Sequence, residues 1–126
     1  NYENASSVLR TFKARGFPWA FFGINMIKHI VLLEFAANLP TEQSDAILTE
    51  LGQLAQVISP MKNYSFGKNN SPEGLNASFN YGFIMEFDSI DARNVYLEHP
   101  LHVKFASEKI LPNLNAGINS VLVFDY

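Results

Sequence analysis

Two histidines and a tyrosine lie within one run of the chain, Tyr96-Leu97-Glu98-His99-Pro100-Leu101-His102. An imidazole titrates near pH 6.5, so at neutrality much of it is a free base able to take a proton. A phenol keeps its proton to about pH 10 and can donate a hydrogen bond to a developing oxyanion. Groups of this kind can give and take protons without a metal or a cofactor.

The two histidines read differently. His99 directly precedes Pro100, where the backbone is extended and helices end, so its imidazole is expected to bond nearby backbone. His102 and Tyr96 are the candidates for chemistry. The bland alternative is that His102 only bonds the helical break while Tyr96 packs with its hydroxyl at the surface. The third histidine, His29, sits in the apolar run Ile27-Lys-His-Ile-Val-Leu-Leu33. A lone histidine on an apolar strand face is usually a satisfied core residue, and a site role for it is the weaker expectation. Three histidines can hold zinc, but a proline separates two of these and no zinc signature is present, so no metal centre is expected. Gly67, Gly74 and Gly82 lack the spacing of a phosphate loop, and no cofactor is expected.

The elements that must carry these residues follow from periodicity. Ile27 to Phe35 is apolar at both odd and even positions, which predicts a central strand covered on both faces. Pro40-Thr41 opens a helix to about Ile58, with Thr41 as N-cap and Ile47, Leu48, Leu51, Leu54, Ala55 and Ile58 on one face. A strand is predicted over Lys62 to Lys68, then a loop through Asn69–Gly74. Phe79, Tyr81, Phe83, Met85 and Phe87 alternate along a third strand, as core or as a seam between subunits. Ser89 caps a helix to Glu98, with Asp88, Asp91 and Arg93 as its solvated start. Pro100 begins a further helical segment to about Leu111, with Val103, Phe105, Ile110 and Leu111 as buried positions. Ser120 to Tyr126 is the last strand. The order β-α-β-β-α-β is the ferredoxin-like α+β arrangement with a four-stranded antiparallel sheet.

Composition narrows the partners. The chain has 126 residues, 48% hydrophobic, with eleven phenylalanines and only 17% charged residues, against about 25% in an average domain. A surface this poor in charge implies a covered face, and a second copy of the same sheet covers it most simply, giving a homodimeric barrel. The net charge of −3 and the lack of a basic patch exclude nucleic acid as the main partner. There is no cysteine, hence no disulfide or thiolate chemistry, and a cytoplasmic location is expected. Phe17 to Ala37 is the greasiest run, but Asn25, Lys28 and His29 interrupt it, so no membrane span is expected. Residues 1–25 carry Arg10, Lys13 and Arg15 against Glu3 and read as an N-terminal extension, native or otherwise, before a domain at 26–126. Within it a short helix Val8 to Arg15 and a packed apolar segment Gly16 to Gly23 are expected.

Five segments in order resemble one family: Met26–Phe35, Ser59–Lys68, Ser71-Pro-Glu-Gly74, Tyr96-x-x-His99-Pro100-x-His102 and Leu122-Val-Phe-Asp-Tyr126. Together they are similar to the stress-responsive α/β-barrel (Dabb) domain. The resemblance implies a ferredoxin-like fold and a homodimeric barrel; the function expected here is that of a stress-responsive α/β-barrel protein binding a small apolar or aromatic molecule. One branch of that family contains polyketide cyclases similar to olivetolic acid cyclase. By position, the catalytic pair of that branch falls on Tyr96 and His102, and a further site histidine falls on His29. A cofactor-free monooxygenase on the same dimeric barrel is a third reading, by analogy of fold alone.

Overall fold

The computed structural model describes residues 26–126. The helix expected at Val8–Arg15 and the packing expected of Gly16–Gly23 lie outside the described residues.

Four strands, β1 Ile27–Leu33, β2 Lys62–Lys68, β3 Tyr81–Phe87 and β4 Val121–Asp125, form one antiparallel sheet in the order β2-β3-β1-β4. The ferredoxin-like α+β order expected from the sequence is the one observed. β1 is central, with β3 on one side and β4 on the other. It ends two residues earlier than its apolar run. Phe35 instead bridges Leu114, and its N–H donates to Asn80 Oδ1 at 3.0 Å. The Asn80 side chain there continues a ladder that the strand has left.

Pleating gives the sheet two unlike faces. His29, Val31, Leu33, Tyr81, Phe83, Met85 and Phe87 lie beneath the helices and are all buried. The period-two aromatic stripe is therefore core, and Phe79 falls outside its strand. The opposite face carries Ile30, Leu32 and Ile84, with Leu122 and Phe124 exposed on β4. No helix among the described residues covers it, and no helix there is long and apolar enough to cross a membrane.

Helix α1, Thr41–Gln53, presses Ser44, Ile47, Leu48 and Leu51 onto the sheet. Pro40, not Thr41, holds the N-cap position, and no side chain caps the helix. The expected extension to Ile58 is a 3₁₀ turn, Leu54–Gln56, which still delivers Ile58 to the core. Helix α2, Ile90–Glu98, starts as predicted at Ser89, whose Oγ accepts from the Ala92 N–H at 3.0 Å. After Pro100 the chain is not one helix to Leu111. It runs as α3, Pro100–Phe105, then a π-turn, Ala106–Ile110, then a 3₁₀ turn, Leu111–Asn113. Val103, expected to be buried, lies within α3 on its outer side, 53% exposed, while Phe105 and Ile110 are buried as expected.

Candidate active site

Tyr96 occupies the sheet-facing side of α2 and is 1% exposed. After Glu98 the chain extends at His99 (φ −62°, ψ 130°), as a residue before proline must, and Pro100 restarts it as the first residue of α3. His99 Nδ1 accepts from the Leu101 N–H at 3.1 Å, which makes it the cap of α3, the structural task expected of it. The re-aimed helix brings His102 back over Tyr96, with ring centroids 4.3 Å apart.

The tautomer of His102 follows from its partner. Nδ1 lies 3.0 Å from the Leu97 carbonyl oxygen. A carbonyl can only accept, so Nδ1 carries the hydrogen and Nε2 keeps the lone pair while the ring is neutral. Burial holds its pKa below 6.5. Charge on His29 and His99 would lower it further, against an opposing effect from the Leu97 hydrogen bond. Burial also pushes the Tyr96 phenol well above its usual value of 10. At neutral pH the pair is thus a protonated phenol beside a neutral imidazole. The two structural alternatives merge here: His102 does bond the break, and it also lines a cavity with Tyr96.

That cavity lies between β1, β4, α2, α3 and the π-turn and has a volume of about 470 Å³. Small-molecule sites commonly span roughly 300–1,000 Å³. Val31, Leu33, Phe83, Phe105, Ala106 and Ile110 give it apolar walls, and Ile118, largely exposed, stands among its lining residues. His29, Arg93, Tyr96, His102 and Asp125 are the groups in the lining that can ionise. No side-chain nitrogen or oxygen among the described residues is sealed away without a partner. The Tyr96 hydroxyl and His29 Nε2 make no hydrogen bond among the described residues, and both side chains line this space.

His29 is 4% exposed and packs its ring against Phe83, Phe87 and Tyr96, with centroids 6.0–6.4 Å away. It pairs with Asp125 across the β1–β4 ladder, so both side chains fall on the helix-covered face. Nδ1 meets Asp125 Oδ1 at 2.8 Å, and Arg93 Nη1 donates to Asp125 Oδ2 at 3.1 Å. The structure thus brings together Tyr96, His102 and His29, and leaves His99 as a cap.

Asp125 and Arg93 were missed by sequence reasoning. Arg93 is not part of a solvated helix start, because its side chain is only 22% exposed and reaches β4. Its signal was its position three residues before Tyr96, on the same helical face. That of Asp125 was its alternation with Val121 and Val123. Among the described residues no three His, Asp or Glu side chains cluster as metal ligands would.

Residues 27–126 match the family described as the stress responsive A/B barrel domain. The stress-response A/B barrel domain-containing protein HS1 of Arabidopsis thaliana is 31% identical over 79% of this chain and 87% of its own length. Olivetolic acid cyclase of Cannabis sativa is 23% identical over 79% of this chain and 94% of its own. Among solved structures, a dimeric ferredoxin-like protein of unknown function from Jannaschia superposes with a TM-score of 0.70 at 24% identity, covering 80% of this chain and 97% of that one.

Proposed function

Since the chain belongs to the stress-responsive A/B barrel domain family, we propose that it works as a homodimer whose subunits each hold a small apolar or aromatic molecule beside Tyr96 and His102. The observation that carries this reading is the cavity of about 470 Å³. A dry apolar void of about 150 Å³ already takes up benzene, so this one has room for a ring with substituents. The dimer rests on the open sheet face, where Ile30, Leu32, Ile84, Leu122 and Phe124 form an apolar surface, and on the dimeric Jannaschia relative of the same fold.

A thermal-shift screen with substituted phenols, aryl ketones and linear poly-β-keto compounds tests the binding. A ligand at 100 times its Kd adds about 2.7 kcal/mol, a shift of several degrees. The shift should vanish when Ala106→Leu fills the cavity; a shift that persists there puts the ligand elsewhere. Light scattering should return twice the 14.2 kDa chain mass, and Phe124→Glu should halve it. A wild-type monomer at micromolar concentration would contradict the dimer.

A second reading is favoured by one further observation, the 4.3 Å contact of the Tyr96 and His102 rings within the lining of the cavity. Burial keeps the Tyr96 phenol protonated and the His102 imidazole neutral. In a cofactor-independent, cyclase-like reaction, His102 Nε2 would take a proton from carbon next to a carbonyl. The Tyr96 hydroxyl would donate to the resulting enolate oxygen. The enolate carbon would then attack a second carbonyl of the same chain and close the ring, and the alkoxide so formed would take the proton back from the His102 imidazolium. Turnover of a linear poly-β-keto thioester, followed by mass spectrometry, should fall at least about 100-fold in His102→Gln. Binding without turnover in the wild type leaves the first reading standing and removes the second.

A further inference from the structure

We propose that Arg93 is a positioning residue that, through Asp125, sets His29, the further site histidine the resemblance implies, as a second proton acceptor in the cavity. The proposal takes its probe, a carbonyl compound with adjacent C–H bonds, from the enolisation reading above. Otherwise it stands on separate contacts.

Asp125 divides its two oxygens between two elements, Oδ1 to His29 Nδ1 at 2.8 Å and Oδ2 to Arg93 Nη1 at 3.1 Å. A carboxylate only accepts from Arg93, and beside His29 an ionised Asp125 can only accept as well. Nδ1 therefore carries hydrogen, and Nε2 is left with the lone pair. Two imidazoles then neighbour the Tyr96 ring, His102 at 4.3 Å and His29 at 6.0 Å between centroids. Each is held in the Nδ1–H tautomer, by a carbonyl in one case and a carboxylate in the other. His99 is the opposite tautomer, because its Nδ1 accepts.

A proton leaving the carbon of a bound ketone passes to His29 Nε2, and its electron pair moves onto the carbonyl oxygen as an enolate. The imidazolium so formed lies against the Asp125 carboxylate, which offsets its charge, and the Tyr96 hydroxyl donates to the enolate oxygen. Return of the proton to carbon closes the cycle with no oxidant or reductant.

The need for Arg93 comes from where Asp125 lies. β4 is an edge strand of five residues, and Asp125 is its last. The backbone there is held, since Lys28 and Tyr126 exchange two hydrogen bonds at 2.8 and 3.1 Å, but a carboxylate side chain held by one hydrogen bond can still rotate away from His29. Arg93 fixes the second oxygen from α2, the helix that also carries Tyr96, so one element sets the donor and the orienter of the acceptor together.

Two measurements on the full chain test this. Long-range proton–nitrogen NMR reads the imidazole tautomers directly. His29 should show a protonated Nδ1 and a bare Nε2 in the wild type and in Arg93→Lys, and a mixture in Arg93→Met. An unchanged pattern in Arg93→Met overturns the positioning role. Deuterium uptake into the methyl group of acetophenone in D₂O reads the acceptor. His102→Gln should retain measurable exchange, and adding either His29→Gln or Arg93→Met should lower it at least 10-fold, with Arg93→Lys restoring most of it. Exchange lost entirely with His102→Gln alone overturns this proposal and spares the His102 reading. No exchange in the wild type overturns both.

Discussion

The two ends of the core under this sheet are both built largely from apolar residues and finish in opposite states. At the α1 end the packing is closed. Leu48, Ile58 and Met61 are at most 3% exposed, and Tyr64 lies over Gly52 with its hydroxyl donating to the Leu48 carbonyl at 2.7 Å. At the α2–α3 end apolar side chains, with five ionisable groups among them, line a partly open cavity of about 470 Å³. The difference is one of backbone. α1 is continuous and can sink its face into the sheet, whereas α2 and α3 are parted by an extended residue and followed by a π-turn. π-turns inside helices often occur at functional sites, and here one forms a wall of the cavity. A cavity needs no shortage of hydrophobic side chains, only walls that hold one another apart.

Substitutions at the two ends should break or sharpen this contrast. The largest effect is expected from truncation in the closed end. Leu48→Ala should cost toward 5 kcal/mol of the roughly 2–5 kcal/mol range for such changes, because nothing nearby can collapse. Ile110→Ala, beside the void, should cost nearer 2 kcal/mol, and equal losses in chemical denaturation would refute the contrast. Gly52→Ala comes next. Its Cβ would lie 2.7 Å from Tyr64 Cδ2, and the hydroxyl bond keeps that ring from moving away. Overpacking of about 1–3 kcal/mol should outweigh the helix-propensity gain of about 1 kcal/mol, lowering the melting temperature. Ala106→Leu at the open end should do the reverse. It should hold or raise stability by up to about 1 kcal/mol while abolishing ligand shifts.

How much of this was legible varies with how local the cause is. The cap at Ser89, the extended His99 and the alternation of Tyr81 to Phe87 follow from a few neighbouring residues, and each was readable. So was the pairing of Tyr96 with His102, through the resemblance of the whole segment. The π-turn was not, because nothing in Ala106–Ile110 marks a change of winding. The carboxylate at Asp125 was hidden for another reason. Its partner His29 is 96 residues away, and only the strand register joins them. Arg93 looked like a surface charge because its salt-bridge partner lies on a strand far along the chain.

The smallest effect is set by pH. His102 has its folded-state pKa below 6.5, so as pH falls through about 6.5 the unfolded chain binds the proton first. Its contribution to stability is complete above that value and lost progressively below it. Melting temperature should therefore rise with pH across this window, and His102→Gln should flatten the rise. A steeper fall in the variant would mean that His102 is not a buried base.

The break at His99-Pro100 also fixes a count. On an unbroken α-helix each residue turns about 100°, so positions six apart point about 120° away from each other. Tyr96 and His102 could not stack on such a helix. They meet only because one residue between them leaves the helical path. The five residues Leu97 to Leu101 thus act as a gauge. Insert or remove one, and hydrophobicity, caps and helix content could all survive while the two rings part company. Variation in this stretch should be free in residue type at exposed Glu98 and strict in number.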